Sequence, residues 1–266
     1  MPSDLAAATV VVTGVAGRLG QVWAGAFLRA GAHVFGLDRV EPEDAALRAA
    51  AAQGGGRFVY HHGDVTHLPG LREALAACLV ECGPPHVLVN NAGIDQPPSA
   101  SAAGYLFEDL PEELSAAVLD VNAAGVLRMC QVFGAEMVRH RRGAIVNVGS
   151  LYATVAPDVR FYDHIEMDPP FLKPPAYGMS KAGVAALTRY LATLWGPYGV
   201  RVNVLSPGGV LGDQDPLFLR KFVDRVPLGR LARAEDLIGP MLFLASDQSR
   251  YVTGTELLVD GGFVCW

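Results

Sequence analysis

TVVVTGVAGRLG, at residues 9–20, is the stretch on which the fold prediction depends. Its first five residues, Thr9–Thr13, are apolar or β-branched and predict a strand buried on both faces. Gly14, Gly17 and Gly20 then allow a tight turn into a helix whose free N–H groups and dipole favour a phosphate. Ordinary strand-to-helix turns are also rich in glycine, so the turn alone is a weak signal. The flanking strand and helix supply the context that a dinucleotide site requires.

Short apolar runs and longer helical patterns alternate along the rest of the chain. The predicted strands are Thr9–Thr13, His33–Leu37, Phe58–His61, His86–Asn90, Ala144–Val148, Arg201–Leu205 and Glu256–Val259. The predicted helices are Leu19–Ala30, Glu43–Ala52, Leu68–Glu81, Pro111–His140 and Ala176–Gly196. Such alternation indicates right-handed crossovers between parallel strands. We therefore predict a single α/β domain over residues 1–266, a Rossmann-like, doubly wound, parallel seven-stranded sheet with helices on both faces.

Three stretches interrupt this alternation, at residues 95–110, 151–175 and 208–230. Each follows the C-terminal end of a predicted strand, where ligands bind in open α/β sheets. The second contains five prolines and no helical period. Because long loops at this edge are often functional, we predict that residues 151–175 are a substrate-loop insertion. An oligomer contact or a plain surface insertion is the alternative.

Composition and charge argue against several classes of partner. The chain has 266 residues, 51% of them hydrophobic, and a net charge of −6. This acidic balance is unfavourable for binding nucleic acid or an anionic lipid surface. No continuous apolar run reaches the roughly 18 residues of a membrane span, and no basic leader opens the chain. We expect a cytoplasmic protein with neither a membrane nor a nucleic-acid partner.

Cysteines and histidines give no convincing metal site. The cysteines are Cys78, Cys82, Cys130 and Cys265. They are too few and too scattered for a disulfide framework. Cys78 and Cys82 are spaced like half of a metal site, but no second pair completes it, so buried thiols are the favoured interpretation. His61, His62 and His67 lie near the end of one strand without a supporting carboxylate spacing.

Charged residues at strand ends bear on the choice of cofactor. Asp38 follows the second strand, where a carboxylate can accept the adenosine-ribose hydroxyls and would repel a 2′-phosphate. This favours NAD over NADP. Arg18 and Arg39 complicate the choice, because either can meet a phosphate. Asp64 and Val65 close the third strand, where they can contact adenine.

Tyr177 and Lys181 form the most informative pair in the second half of the chain. They are four residues apart on a predicted helix and therefore share a face. A free tyrosine has a pKa near ~10, and a nearby ammonium favours the phenolate and lowers that pKa. Ser150 ends the preceding strand, where its hydroxyl can bond a substrate oxygen as charge develops. Taken alone, each feature also has a purely structural explanation. Tyr177 and Lys181 can be an ordinary surface pair on a helix, and Ser150 can be a turn cap.

In this order, these motifs resemble the short-chain dehydrogenase/reductase family in its compact, single-domain branch. The resemblance rests on Thr13–Gly20, Asn90–Gly93, Ser150, Tyr177–Lys181 and the dipeptide Pro207-Gly208. It extends over essentially the whole chain, to Val259-Asp260-Gly261-Gly262. One departure is plain: the family's middle glycine normally stands where this chain has Arg18, while Gly17 comes one place early. Because of this departure, the resemblance predicts a phosphate site at this turn but does not predict its individual contacts.

The resemblance implies a nicotinamide-dependent oxidoreductase that interconverts an alcohol and a ketone. It implies the catalytic residues Asn122, Ser150, Tyr177 and Lys181. The implied cofactor-binding residues are Thr13, Gly14, Gly17, Arg18, Leu19, Gly20, Asp38, Arg39, Asp64, Val65, Asn91, Ala92, Gly93, Tyr177, Lys181, Pro207, Gly208 and Val210. Tyr177 would exchange the proton, Ser150 would bind the substrate oxygen, and Lys181 would bind the nicotinamide ribose. Asn122 would hold a water that connects Lys181 to solvent, although a buried, hydrogen-bonded helix residue is equally compatible with its position.

The long separation of Ser150 and Tyr177 bears on the substrate. The spacing of 27 positions from Ser150 to Tyr177 exceeds the family's usual spacing, and the extra segment is rich in charged side chains. A polar, rigid lip favours a polar substrate over a long acyl chain. The runs around residues 150–158 and 205–216 further resemble members associated with surface-sugar and flagellin-glycan biosynthesis, which points to a sugar or polyol.

Other functions compete with this one. A 3-oxoacyl-type ketone reductase would favour NADP, against Asp38. A nucleotide-sugar epimerase or dehydratase usually carries a larger C-terminal part than the 59 residues after Pro207. A non-catalytic nucleotide-binding regulator predicts loss of Ser150, Tyr177 or Lys181, all of which are present. Relatives commonly form tetramers, so we expect a homo-oligomer, tetramer or dimer, with the apolar tail Phe263–Trp266 buried in a contact.

Overall fold

A computed structural model describes residues 3–95 and 104–266 of the chain. Within these ranges the chain forms one seven-stranded sheet in the order β3-β2-β1-β4-β5-β6-β7, and every pair is parallel. The strands are β1 (Thr9–Thr13), β2 (His33–Asp38), β3 (Arg57–His62), β4 (Val87–Asn90), β5 (Gly143–Val148), β6 (Val200–Pro207) and β7 (Glu256–Val259). The strand order reverses between β1 and β4, which opens a crevice at the carboxyl edge of the sheet.

Seven helices of five or more residues cover the sheet within the described ranges. They are α1 (Arg18–Arg29), α2 (Ala45–Gly54), α3 (Leu68–Glu81), α4 (Glu112–Arg139), α5 (Pro175–Trp195), α6 (Pro216–Val223) and α7 (Ile238–Ala245). The predicted doubly wound fold is therefore confirmed, with small shifts in most element boundaries. The part of the interruption at residues 96–103 lies outside the described residues.

Alternating side chains of the central strands supply a separate core on each face of the sheet. Val10 and Val12 of β1 pack with Trp23 and Phe27 of α1, together with residues of α2 and α7. Val11 faces the opposite side, where α3, α4 and α5 provide the cover. Because successive strand residues point to opposite faces, the unbroken apolar strands of the sequence are what this two-sided burial requires.

Two helices were missed by the sequence prediction. The interruption at residues 208–230 contains α6, which begins at Pro216 because the Asp215 side chain accepts the backbone N–H groups of Leu217 and Phe218. Proline is tolerated in this first turn, so it marks a start rather than a break. The second missed helix, α7, is apolar over nearly its whole length and buried, so it lacks an amphipathic period that would reveal it.

The 28-residue helix α4 is continuous but contains two wider π-type turns, at Asp120–Ala124 and Cys130–Gly134. By length and composition alone it is the one described helix that would pass for a membrane span. The sequence prediction had counted only uninterrupted apolar runs. In the fold, Met129, Phe133 and Met137 of this helix belong to the core against the sheet.

The segment between Ser150 and α5 is anchored by aromatic packing. Phe161 lies 5.5 Å from Phe222 of α6, and Phe222 lies 4.8 Å from Phe263, measured between ring centroids. Tyr162 and Phe171 extend this cluster. The segment is thus not only a polar lip, because it has an apolar anchor of its own. Phe263 is buried within its own chain, so the prediction that the whole tail is available for an oligomer contact is wrong at this residue.

Candidate active site

The glycine turn after β1 leaves the N-terminus of α1 open at the crevice. Gly14 has φ +66°, and a Cβ on Gly20 would lie 2.1 Å from the Gly14 carbonyl oxygen, so neither position tolerates a side chain. Gly17 is the N-cap of α1, and no side chain caps this end of the helix. The turn therefore presents backbone N–H groups and a positive dipole end, which favour an anion.

Hydrogen bonds join this turn to the loop that follows β4. The Asn91 side chain donates from Nδ2 to the carbonyl oxygens of Thr13 at 2.9 Å and Gly14 at 3.0 Å. The Thr13 hydroxyl in turn accepts the backbone N–H groups of Asn91 and Ala92, both at 3.0 Å. These bonds fix the two walls of the crevice where the strand order reverses.

Asp38 is the last residue of β2 and Arg39 follows it, at the far end of the crevice. The Asp38 carboxylate accepts the backbone N–H of Ala16 at 2.9 Å, which ties it to the glycine turn. Arg39 is paired with Asp64, with 3.5 Å between Nε and Oδ2. Val65, also predicted here, is buried beside α4. The Asp38 carboxylate therefore lies at the crevice. The guanidinium of Arg39, which follows it in the chain, is already paired with Asp64.

Arg18 extends from the first residue of α1 toward the loop that follows β6. Its Nη1 atom would lie 2.6 Å from a Cβ on Gly212, so the guanidinium reaches across the mouth of the crevice. Leu19 packs against the first core instead. On the same side, Gly208 donates its N–H to Val259, while Val210 forms an isolated bridge with Ala232.

Tyr177 and Ser150 meet at the carboxyl end of β5. Ser150 is the second residue after this strand, and Tyr177 lies in the first turn of α5. Burial raises the pKa of Tyr177 to about 12, the Asp95 carboxylate acts in the same direction, and a hydrogen bond with the Ser150 hydroxyl opposes both. A Tyr177 phenolate thus needs further positive charge nearby.

Lys181 supplies one positive group beside the tyrosine. Its side chain is buried, its Nζ donates to the carbonyl oxygen of Val148 at 2.8 Å, and it lies 5.7 Å from the centroid of the Tyr177 ring. Burial lowers the pKa of Lys181 to about 8, against the opposing effect of Asp95. Because this pKa lies close to neutral pH, the Lys181 side chain can both hold and release a proton near physiological pH.

Asn122 lies in the first π-type turn of α4 and is fully buried. Its Oδ1 accepts the Ile94 N–H at 2.8 Å and its Nδ2 donates to the Ile94 carbonyl at 2.9 Å. A Cβ on Gly93 would lie 3.2 Å from Asn122 Oδ1 and 3.7 Å from Lys181 Nζ, so both polar groups border that glycine. π-type turns often mark functional positions in helices.

A cavity of about 960 Å³ opens beside Ser150 and Tyr177. The segment between Ser150 and α5 contributes several of its walls, and the loop after β6 contributes others. Its charged or titratable lining groups are Arg18, Asp95, His164, Glu166, Lys173, Asp213 and Asp215. Its size and mixed polar lining suit a small, hydrophilic substrate.

Sequence reasoning missed the pair formed by Asp95 and Lys173. Both carboxylate oxygens of Asp95 accept from Lys173 Nζ at 2.7 Å, although the residues are 78 positions apart. The chain has only three lysines, and two of them, Lys173 and Lys181, lie within 6 Å of the Tyr177 ring centroid. That scarcity, and the position of Lys173 just before the prolines that open α5, are the only signals the sequence offers.

The described residues contain no group of three or more His, Cys, Asp or Glu side chains that could hold a metal ion. Cys78 is buried, and burial raises its thiol pKa to about 12, as expected of a thiol in a core. A dinucleotide, by contrast, fits the crevice. The uncapped end of α1, the tight turn that Gly14 and Gly20 allow, and the Asp38 carboxylate are the three features that accommodate it.

Comparison with known proteins agrees with this geometry. The profile of a family described as enoyl-(acyl carrier protein) reductase matches residues 14–264. The chain belongs to the short-chain dehydrogenase/reductase family. It is 35% identical to L-rhamnose 1-dehydrogenase (NAD(P)(+)) of Azotobacter vinelandii, over 96% of this chain and 95% of that protein. It is 33% identical to galactitol 2-dehydrogenase of Rhizobium johnstonii, again over 96% and 95%.

Solved structures of the family extend the likeness to the fold. A short-chain dehydrogenase from Leptospira borgpetersenii with bound NAD+ superposes with a TM-score of 0.84 at 32% identity, covering 96% of this chain and 92% of that one. Taken with the dehydrogenases above, this makes the chain an NAD(P)-dependent oxidoreductase that interconverts an alcohol and a ketone.

Proposed function

We propose that Tyr177, Ser150, Lys181 and Asn122 carry the catalysis. In the oxidation direction, the Tyr177 phenolate removes the hydroxyl proton of the substrate while the Ser150 hydroxyl donates to the same oxygen. The bound nicotinamide supplies the other half of the chemistry, by accepting the hydride from the substrate carbon. Lys181 stabilises the phenolate and binds the nicotinamide ribose, and Asn122 orders the polar path that returns the proton to solvent. The convergence of Ser150 and Tyr177 at one cavity wall is the observation that supports this proposal.

The proposed cofactor site runs along the carboxyl edge of the sheet from β2 to β6. The residues assigned to it are Thr13, Gly14, Gly17, Arg18, Leu19, Gly20, Asp38, Arg39, Asp64, Val65, Asn91, Ala92, Gly93, Tyr177, Lys181, Pro207, Gly208 and Val210. Backbone N–H groups of the glycine turn would bind the pyrophosphate. Arg18, in place of a glycine, would add a cation at the mouth of that site.

We further propose that the cofactor is NAD rather than NADP. Asp38 places a carboxylate where a 2′-phosphate would have to lie, and Arg39 is paired with Asp64. A 2′-phosphate would therefore meet a negative charge without a free neighbouring guanidinium.

The proposed substrate is a hydroxylated small molecule, a sugar or polyol. Support comes from the charged lining of the cavity and from relatives that act on rhamnose and galactitol. The resemblance to surface-sugar members keeps modified sugars within the same class. A cytoplasmic location, a homo-oligomeric state and the absence of membrane and nucleic-acid partners complete the proposal.

One screen tests these assignments together. The purified protein is assayed with NAD and with NADP against polyols, aldoses, sugar acids and, in the reverse direction, hydrophobic and acyl ketones. We expect the highest kcat/KM with NAD and a neutral polyol or sugar. A preference for acyl ketones with NADP would instead support the 3-oxoacyl-type reductase. Nucleotide binding without turnover on any substrate would support a regulator.

A further inference from the structure

The ion pair of Asp95 and Lys173 lies inside the active-site cavity rather than on the outer surface. The Lys173 side chain is only 6% exposed and that of Asp95 is 40% exposed. Both residues line the same cavity as Ser150 and Tyr177. The ammonium group lies 5.1 Å from the Tyr177 ring centroid and 5.7 Å from the Tyr152 ring centroid. It is thus held in one place by a carboxylate and two aromatic faces.

Charged and titratable groups approach Tyr177 from every element packed around it. Lys181 comes from the same helix, Lys173 from the segment that precedes it, and Asp95 from the loop after β4. Ser150 and Tyr152 come from the turn after β5. Asp95 is the one acidic group in this set, and its charge opposes ionisation of Tyr177.

A carboxylate in this place needs neutralisation if Tyr177 is to act as a base. Asp95 raises the pKa of Tyr177, of Tyr152 and of Lys181, so its negative charge is felt throughout the site. An ammonium at 2.7 Å from both oxygens carries the opposite charge and therefore opposes that field at the tyrosine. The pair therefore keeps the Asp95 carboxylate in the cavity as a hydrogen-bond acceptor. At the same time, Lys173 limits the extent to which that carboxylate disfavours ionisation of Tyr177.

We propose that Asp95 and Lys173 recognise a substrate hydroxyl next to the reacting carbon, and that Lys173 shields Tyr177 from the charge of Asp95. This inference rests on the proposed function. Each carboxylate oxygen has lone pairs for more than one donor, and a lysine ammonium has three N–H groups, so the pair can accept from and donate to the same hydroxyl. The substrate class is then a vicinal diol, as found in polyols and sugars.

The rest of the cavity favours a neutral diol over a sugar acid. Glu166 and Asp213 line the same walls as the pair. With Lys173 bound to Asp95 and Arg18 assigned to the pyrophosphate site, a substrate carboxylate would meet these acidic groups without a further lysine or arginine among the described lining residues. A substrate lacking the neighbouring hydroxyl would lose its hydrogen bonds to the pair and should also be rejected.

The first test compares a vicinal diol that the enzyme oxidises with its deoxy analogue lacking only the neighbouring hydroxyl. We expect the native enzyme to prefer the diol by at least about 100-fold in kcat/KM. Asp95→Asn is expected to reduce that preference below about tenfold, because the amide replaces one acceptor oxygen by a donor. An unchanged preference in Asp95→Asn would overturn the recognition role.

The second test measures the pH midpoint of kcat/KM for alcohol oxidation in a double-mutant cycle. Lys173→Met leaves the Asp95 charge unshielded and should raise the midpoint by about one pH unit. In an Asp95→Asn background the same substitution should shift it by less than about 0.3 unit, since no carboxylate remains to shield. Equal shifts in both backgrounds, or none in either, would overturn the shielding role.

Controls separate electrostatics from folding. Lys173→Arg keeps the positive charge and should retain the native midpoint, and Lys173→Gln replaces Lys173→Met if the latter does not fold. Lys221→Met is the matched control, because Lys221 also pairs with an acid of this segment, Asp163, yet does not line the cavity. It should leave the midpoint unchanged. Loss of turnover in Tyr177→Phe tests the proposed function separately, so the two proposals can fail independently.

Discussion

Lys181 shows at the scale of one residue how burial changes what a side chain can do. The ammonium is removed from water and has a backbone carbonyl as its hydrogen-bond acceptor. Its pKa falls to about 8 because the charged form loses hydration. A lysine with a lowered pKa in the folded state destabilises the fold below that pKa. This cost disappears as the pH rises toward the unfolded value near ~10.4.

Lys181→Met should remove this pH-dependent cost. Between pH 7 and pH 9.5, the native chain should gain about 2 kcal/mol of unfolding free energy relative to the variant. Urea unfolding of both proteins without cofactor, at the two pH values, measures the difference. A difference that does not change with pH would mean that Lys181 is not significantly desolvated.

At this scale, the sequence predicted the residues carried by motifs and missed those joined only by the fold. Ser150, Tyr177 and Lys181 follow recognisable local patterns and do converge. Asp95 and Lys173 belong to no motif, and a contact across 78 positions depends on how two loops pack. No local period or spacing encodes such a pair.

At the scale of elements, the contact between α1 and the glycine turn is the closest in the cofactor site. A Cβ on Gly20 would lie 2.1 Å from the Gly14 carbonyl oxygen, whereas a Cβ on Gly239 of α7 would meet nothing within 4 Å. Replacing glycine by alanine at each of these two positions therefore separates the effect of a steric clash from the effect of helix propensity.

Gly20→Ala should push α1 away from the turn and weaken NAD binding by at least about tenfold. Gly239→Ala should bind NAD normally and unfold at slightly higher denaturant, by about 0.5–1 kcal/mol, because alanine is the better helix former. Calorimetric titration with NAD and urea unfolding measure the two effects. Equal NAD affinity in both variants would contradict a pyrophosphate site at this turn.

The segment between Ser150 and α5 depends on its aromatic anchor. Phe161 is buried against Phe218, Phe222 and Phe263, none of which is assigned to the cofactor site. Phe161→Ala should cost about 3–5 kcal/mol within this cluster and loosen the cavity wall. We expect the substrate KM to rise at least tenfold, while the NAD dissociation constant stays within about twofold. A parallel loss of NAD affinity would show that the segment supports the whole domain.

The helices that the sequence prediction missed, like the residues it missed, depend on contacts made only in the folded chain. The helix α6 depends on the Asp215 cap and on packing against Phe161, and α7 on burial over most of its surface. Strong strand-helix alternation predicted the sheet and its two layers correctly. Short or uniformly apolar helices carry little periodic signal, so tertiary packing decides them.

At the scale of the whole molecule, α5 exposes one apolar face to solvent. Met179, Gly183, Ala186, Tyr190 and Leu194 are exposed and spaced three or four residues apart. An apolar helix face with small residues at its centre is suited to close packing against a copy of itself. We predict that the native protein is a dimer or tetramer. The Ala186→Arg variant should place a charge on this face and shift the association equilibrium toward the monomer. Light scattering coupled to gel filtration measures the mass, and a monomeric native protein would contradict the prediction.

Tyr177→Phe tests the central claim most directly, because it removes one hydroxyl from a buried ring and little else. Its turnover should be measured on the best diol substrate with saturating NAD, alongside the NAD dissociation constant. We predict a loss of kcat of at least about 1,000-fold, with NAD affinity within about threefold of native. Turnover within tenfold of the native enzyme would contradict the assignment of Tyr177 as the group that exchanges the proton.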